Sequence, residues 1–268
     1  MLVCTLGDLL LDVIVRLDTR LASGDDAVAR TTLAPGGQAA NVAAWATDLG
    51  ADARIVAVQA DDDAGTIVRR ELASRGVDVC GPPGERTGVV VSIVQPDGDR
   101  TMASDRGSAP DLPAEAIEAD WLDCDALHLS GYSLLGGPIT EAAQRAAALA
   151  HRQGARVSVD LSSWTHVQRL GARMRETLAQ VTPDVVFGNE REWHAIGAVE
   201  TPTRVVKRGP RGIVVDGEEH EAVAVAAVDS TGAGDALAAG FIVGGTNLAL
   251  ATAARCVARV GAMPPLKR

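Results

Sequence analysis

Residues 229–235, with the sequence D-S-T-G-A-G-D, have the composition of an anion site next to an acidic group. If a helix begins here, the backbone N–H groups of Gly232, Ala233 and Gly234 lack intrahelical acceptors and, with the positive end of the helix dipole, attract an anion. The carboxylate of Asp235 would lie at the same turn, where it could act as a general base. The alternative is a plain helix cap. A carboxylate beside an anion hole is costly by repulsion, which favours a chemical role.

A second glycine-containing segment, with the sequence P-G-G-Q-A-A-N, ends at Asn41 and opens another helix rich in small residues. Gly36 and Gly37 allow a ligand to approach the backbone closely, and Asn41 offers both a donor and an acceptor to a hydroxyl group. Asp12, shortly after the first strand, could accept hydrogen bonds from two hydroxyls. This set suits a polyol; the alternative is a glycine hinge with solvated polar residues.

The elements that must position these residues alternate between short β-rich runs and alanine-rich helical runs, which is typical of an α/β protein with a parallel sheet covered by helices. The predicted core strands are residues 2–6, 54–58, 126–129, 156–159, 185–187, 204–206 and 212–215. The predicted helices lie near residues 39–49, 64–75, 139–152, 171–180, 233–243 and 248–260. We also expect the apolar run 223–228 to be a strand that leads into the helix at residue 233.

Two stretches interrupt this alternation, at about residues 12–34 and 87–104. Both contain alternating or β-branched residues without a helix between them, and the P-D-G sequence at 96–98 is a hairpin turn signal. We expect them to form a small β lid over the site, within a single domain that spans residues 1–268. The alternative is that they add edge strands to the main sheet.

Composition excludes several other classes of protein. The 25 Lys and Arg against 35 Asp and Glu give a net charge of −10, and aromatic residues make up 3% of the chain, so nucleic-acid binding is not expected. Charges interrupt every apolar stretch and no basic N-terminal region is present, so we expect a cytoplasmic protein with no membrane partner. The four cysteines and five histidines have no metal-ligand spacing, and a G-x-x-x-x-G-K-[ST] phosphate loop is absent.

The two glycine motifs occur in an order that resembles the ribokinase-like (PfkB-type) carbohydrate kinase family. Residues 36–43 are similar to its N-terminal signature and residues 229–235 match its C-terminal signature in full. Further landmarks in the same order are Gly7, Asp8, Asp12 and residues 61–65, 129–131, 159–160, 189–192 and 209–212. The resemblance covers nearly the whole chain and implies a mostly parallel central sheet flanked by helices, with a small β lid.

By this resemblance the chain is an ATP-dependent kinase that phosphorylates a hydroxyl of a small sugar. Asp235 would be the base, and the amides of Gly232, Ala233 and Gly234 would hold the charge on the phosphoryl group. The residues implied to bind the acceptor are Asp12, Gly36, Gly37, Asn41 and Arg106. The residues implied to bind the nucleotide are Asn189, Glu192, Gly209 and Gly212, with Glu192 holding Mg²⁺ largely through water. Asn189 and Glu192 also suit a helix-capping pair.

Some members of the family have a monovalent-cation loop beside the anion hole, and Asp229 and Thr231 resemble its elements, so K⁺ is a candidate second ion. The chain departs from the family at residues 207–208, where Lys207 and Arg208 replace the threonine and apolar residue of many relatives. Two alternatives remain: a nucleoside (adenosine-type) kinase of the same fold, or a catalytically silent sugar-binding protein. The resemblance further implies a homodimer formed through the lid.

Overall fold

The computed structural model describes residues 1–24, 26–97 and 100–266. Its strands in chain order are β1 (Leu2–Leu6), β2 (Leu10–Leu17), β3 (Ala29–Gly36), β4 (Asp52–Val56), β5 (Gln59–Ala60), β6 (Val77–Cys80), β7 (Pro83–Gly84), β8 (Thr87–Val94), β9 (Arg100–Gly107), β10 (Ala126–Ser130), β11 (Arg156–Asp160), β12 (Val185–Asn189), β13 (Thr203–Lys207), β14 (Ile213–Val215) and β15 (Glu218–His220). Its α-helices are α1 (Gln38–Asp48), α2 (Asp63–Ser74), α3 (Pro138–Arg152), α4 (Trp164–Val181), α5 (Glu190–Ile196) and α6 (Ala233–Val257).

Nine of the described strands form a central sheet in the order β15-β14-β13-β12-β11-β10-β1-β4-β6. The seven strands from β13 to β6 run parallel, whereas β14 and β15 are antiparallel additions at one edge. The predicted α/β class and mostly parallel sheet are therefore confirmed. Because the carboxyl ends of parallel strands meet at one edge of a sheet, the last residues of β11, β12 and β13 lie close together there. These residues are Asp160, Asn189 and Lys207.

A second sheet has the strand order β3-β2-β8-β9 and is separate from the central sheet. Its strands lie in the two interrupting stretches but extend past the predicted limits, because β2 starts at Leu10, β3 ends at Gly36 and β9 ends at Gly107. The proposed turn at 96–98 includes Gly98, which lies outside the described residues. The lid role of this second sheet stays a prediction.

Helix α6 is long and apolar enough to cross a bilayer by composition alone, but its packing identifies it as a core element. Gly244 and Gly245 have non-helical backbone angles, and the two halves fold against each other: a Cβ on Gly240 would lie 2.7 Å from Cα of Ala249. The halves correspond to the two helices predicted at 233–243 and 248–260. The first half buries residues against α1 and the central sheet, including Ala236, Ala238 and Ala239.

The expected strand at 223–228 is absent from the described structure, and this prediction was wrong. The segment is extended but pairs with no strand, and Val223, Val225 and Val228 are 50%, 44% and 62% exposed. Alternating valine and alanine satisfy a strand pattern, but a strand forms only where its backbone also pairs with a neighbouring strand. Helix α6 is therefore preceded by an exposed loop rather than by a strand.

Candidate active site

One hydrogen bond joins the two glycine motifs. Nδ2 of Asn41, in the first turn of α1, donates to Oδ2 of Asp235, in the first turn of α6, at 2.7 Å. The two residues are 194 positions apart and meet because α1 packs along α6. Oδ1 of Asn41 is buried and has no hydrogen-bond partner among the described residues. An unpaired buried acceptor is costly, so this atom is ready to accept a hydrogen bond from a ligand hydroxyl.

Glycine is required at both positions before α1, because two aspartates lie where a side chain would be. A Cβ on Gly36 would lie 2.0 Å from Oδ1 of Asp12, so the carboxylate lies directly over this glycine. Gly37 has φ +96°, and its Cβ would lie 2.2 Å from the backbone oxygen of Asp8. The structure thus brings Asp12 and the Gly36–Gly37 pair to the start of α1, the helix that carries Asn41.

Burial raises the pKa of both candidate acid–base residues, Asp235 and Asp12. It raises the pKa of Asp235 to about 7, with the nearby carboxylate of Asp160 adding to the increase, while the hydrogen bond from Asn41 and the ammonium of Lys207 oppose it. Burial likewise raises the pKa of Asp12 to about 6, and Arg100 opposes that increase. A carboxyl group with a pKa near neutral pH is well matched to proton transfer.

The start of α6 has the backbone that the glycine-rich motif predicts. Gly232 is the N-cap in a left-handed conformation with φ +75°, and a Cβ there would lie 2.6 Å from Cα of Ala262. The N–H groups of Ala233 and Gly234 lie in the first helical turn, and that of Ala233 donates to the oxygen of Ser230 at 3.3 Å. This helix start carries the positive end of the dipole next to Asp235.

A capping box opens helix α5 and confirms the capping interpretation of Asn189 and Glu192. The Asn189 side chain accepts from the N–H of Glu192 at 2.9 Å, and Glu192 Oε2 accepts from the N–H of Asn189 at 2.7 Å. Glu192 is 3% exposed. Burial raises the pKa of its carboxyl group, while the ammonium of Lys207 acts in the opposite direction. The sequence pattern indicates the start of α5 through this capping pair but not the extent of the helix.

A cavity of about 490 Å³ extends from the start of α6 to the turn after β13. It is lined by Gly209 and Gly212 on one side and by Ala233 and Gly234 on the other, and its remaining walls are mostly apolar. Gly209 has φ +59° and open space around its Cβ position, whereas Gly212 is packed closely against the backbone of His220. The structure therefore brings both predicted nucleotide glycines to one cavity, which ends at the anion-hole motif.

Comparison of the sequence with known proteins shows the family to which the chain belongs. The model of the pfkB family carbohydrate kinases matches residues 1–264. The chain belongs to the pfkB family of carbohydrate kinases. It is 35% identical to an ATP-dependent ribose-1-phosphate kinase of Halopiger xanaduensis, over 86% of this chain and 80% of that one. It is 29% identical to a fructokinase of Escherichia coli, over 96% and 89% of the two chains.

Solved structures of the ribokinase-like fold cover this carbohydrate kinase almost completely. The adenosine kinase of Sinorhizobium meliloti superposes with a TM-score of 0.83 at 26% identity, covering 98% of this chain and 95% of that one. An Escherichia coli protein assigned as ribokinase II, solved with ATP and Mg²⁺, superposes with a TM-score of 0.82 at 25% identity, covering 97% and 94%. The resemblance read from the two glycine motifs is confirmed.

Two side chains of this carbohydrate kinase that sequence reasoning left unassigned form an ion pair at the carboxyl ends of the strands. Nζ of Lys207 lies 2.6 and 2.8 Å from the two carboxylate oxygens of Asp160, which is fully buried. The one sequence feature that pointed to Lys207 was its departure from the family pattern at this position. Nothing in the sequence indicated that Asp160, on a strand two positions away in the sheet, would be its partner.

Arg106, predicted to bind the acceptor, forms a two-point ion pair with Asp8. Its Nε and Nη2 lie 2.6 and 2.7 Å from the two Asp8 oxygens, and Nη2 also donates to the backbone oxygen of Tyr132 at 3.2 Å. The Asp8 side chain is 7% exposed and that of Arg106 is 25% exposed. The pair joins the second sheet to the end of β1, next to the backbone that contacts Gly37.

The predicted monovalent-cation residues are already engaged by other groups of this carbohydrate kinase. Asp229 Oδ1 accepts from the N–H and the hydroxyl of Thr231 at 2.9 and 2.6 Å, and Oδ2 accepts from the N–H of Gly261 at 3.0 Å. Two arginines of the second sheet also contact this turn. Nη2 of Arg16 lies 3.9 Å from Oδ2 of Asp229, and Arg100 donates to the hydroxyl of Thr231.

Proposed function

We propose that this carbohydrate kinase transfers the γ-phosphoryl group of ATP to a hydroxyl of a small sugar. The observation that carries the proposal is the Asn41–Asp235 hydrogen bond with its unpaired buried acceptor, Oδ1 of Asn41. Nδ2 of Asn41 orients the carboxylate of Asp235, and Oδ1 can hold the acceptor sugar at the same time. A sugar hydroxyl placed between Asp235 and the start of α6 would face both a base and an anion site.

Asp235 takes the hydroxyl proton as the oxygen attacks phosphorus, and its pKa of about 7 keeps much of it deprotonated at neutral pH. The backbone N–H groups of Gly232, Ala233 and Gly234 stabilise the negative charge of the transferring phosphoryl group. The residues proposed to hold the sugar are Asp12, Gly36, Gly37 and Asn41. Arg106, held by Asp8, shapes this pocket from the second sheet.

The 490 Å³ cavity is proposed to bind the nucleotide, with Gly209 and Gly212 along the base and ribose. Its largely apolar walls suit a purine, and its inner end adjoins the amides that would receive the γ-phosphate. The ATP and Mg²⁺ complex of the Escherichia coli relative supports this proposal.

The donor set fits a magnesium ion that arrives with the nucleotide. Among the described residues no three His, Cys, Asp or Glu side chains form a metal-binding group, and Mg²⁺ usually takes one or two carboxylates plus phosphates and water. Glu192, with Asn189 beside it, would hold the ion through water. When bound, the ion neutralises phosphate charge. K⁺ is proposed at the Asp229–Thr231 turn, where it would compete with the guanidinium groups of Arg16 and Arg100.

The second sheet is proposed to close over the sugar and to form a homodimer. Asp12 and Arg106 lie on its strands, and its apolar side chains Leu33 and Met102 are each 50% exposed. Hydrogen–deuterium exchange in β8 and β9 should slow when sugar binds. Light scattering should give a dimer that Leu33→Asp weakens. Unchanged exchange would exclude lid closure, and a monomeric wild type would exclude the dimer.

The decisive experiment is an ADP-release assay with ATP and Mg²⁺ against a panel of pentoses, hexoses, sugar phosphates, keto-deoxy acids and nucleosides. Selective turnover of a sugar supports the proposal. Selective turnover of a nucleoside would establish the alternative kinase, which is the activity named for the Sinorhizobium meliloti relative. Sugar binding without turnover, measured by calorimetry, would establish the silent binding protein instead.

A further inference from the structure

The chain contains only two lysines among its 25 basic residues, and one of them, Lys207, ends strand β13 within the proposed site. Its side chain is 17% exposed and its partner Asp160 is fully buried. A buried ion pair contributes little net stability, because desolvation of both charges offsets their attraction. Fold stability alone therefore does not account for this lysine.

The ammonium group lies against the anion-hole backbone. A Cβ built on Gly234 would be 3.3 Å from Nζ of Lys207, so no side chain separates the ammonium from the first turn of α6. Lys207 also pairs in register with Asn189, the residue that opens α5, and it lines the proposed nucleotide cavity. The charge thus lies where the triphosphate and the transferring phosphoryl group would meet.

The charges around Lys207 indicate a role for its ammonium group. The carboxylates of Asp160, Glu192 and Asp235 all interact electrostatically with Lys207, so the site is acidic before any ligand enters. A phosphoryl group would be repelled by this set unless a cation faced it. An ammonium group has three N–H donors, and Asp160 occupies two of them, which leaves one for a phosphoryl oxygen.

We propose that Lys207 is a catalytic residue whose ammonium group binds the phosphoryl group during transfer, and that Asp160 is a positioning residue that holds it. This inference rests on the proposed kinase function. The attacking sugar oxygen forms the new P–O bond, Asp235 accepts the proton, and ADP leaves with the electron pair of the broken bond. Lys207 stays protonated throughout and contributes charge only.

The first test compares Lys207→Met with a matched control, Arg204→Met, which removes a positive charge from the exposed side of the same strand. We expect Lys207→Met to lower kcat about 10²–10³-fold with little change in the KM of the sugar. Its affinity for β,γ-imido-ATP, measured by calorimetry, should also fall about tenfold. Arg204→Met should resemble the wild type in both measurements.

A double variant separates catalysis from structural neutralisation of Asp160. Lys207→Met combined with Asp160→Asn removes both charges, so it should fold even if the single variant is unstable. If Lys207 binds the phosphoryl group, kcat stays low in the double variant. If Lys207 only neutralises Asp160, kcat recovers, and the inference is overturned.

Failure of the inference differs from failure of the proposed function. A wild type with no turnover on the acceptor panel rejects the kinase proposal, whereas an active wild type with wild-type kcat in Lys207→Met rejects only the role of Lys207. Equal affinity of the wild type and Lys207→Met for β,γ-imido-ATP would also overturn that role.

Discussion

Replacing the proposed base by its amide, Asp235→Asn, tests the site through two independent quantities. The amide keeps the shape and can still accept the hydrogen bond from Asn41, but it cannot take a proton. Turnover should fall about 10²–10⁴-fold, the range for loss of a general base. Affinity for ATP should change little, because the N–H groups at the start of α6 remain.

The second quantity is the free energy of unfolding. The pKa of Asp235 rises from its ordinary value of 3.8 to about 7, and at about 1.4 kcal/mol per pKa unit this corresponds to about 4 kcal/mol. Because the residue is partly exposed, solvent screening makes this figure an upper bound. The raised pKa gives the wild type a stabilisation that is complete below pH 3.8 and is lost as the pH rises through about 7. Asp235→Asn does not titrate here, so it should become the more stable protein at and above neutral pH.

Urea unfolding from about pH 5 to about pH 8 measures this difference. A matched control is Asp229→Asn in the same motif. Burial acts to raise the pKa of Asp229, but hydrogen bonds from Thr231 and Gly261 outweigh it and lower the pKa. That aspartate stabilises the fold above its ordinary pKa, so its replacement should destabilise at neutral pH. Wild-type turnover in Asp235→Asn would refute the role of Asp235 as the base, and a pH-independent stability difference would refute the raised pKa of its carboxyl group.

Three further predictions concern the glycine motif, the sugar and the second ion. Gly37→Ala should lower the free energy of unfolding in urea by about 2 kcal/mol or more, because the added Cβ would clash with the backbone oxygen of Asp8 at an already unfavourable φ. The control Gly50→Ala, at φ +93° in open space, tests the effect of φ alone and should lower it less. Asp12→Ala should raise the sugar KM about 10–100-fold in steady-state kinetics with unchanged ATP affinity, and an unchanged sugar KM would remove Asp12 from the site. Exchanging K⁺ for tetramethylammonium at constant ionic strength should lower turnover, and Arg100→Gln should increase the K⁺ activation; equal rates in both salts would exclude the ion.

Local pattern predicted most of the fold. Alternating β-rich and alanine-rich runs predicted the central strands and most helices, since each pattern reflects burial on one or both faces of an element. The same logic failed at 223–228, where alternating valines satisfy a strand pattern but the segment pairs with no described strand. It also missed β6, in which only Val77 is buried, and it gave only the capping pair at the start of α5.

The sequence by itself determined the chemistry-bearing residues, because Asp235, the glycines before it and Asn41 stand in two local motifs that need no tertiary context. The tertiary structure alone decided which residues face one another. Asn41 meets Asp235 because α1 packs on α6, and Lys207 meets Asp160 because β11 and β13 flank β12 and end at the same edge. Such contacts depend on strand order and helix packing, which arise from the whole core and leave no trace in residue spacing.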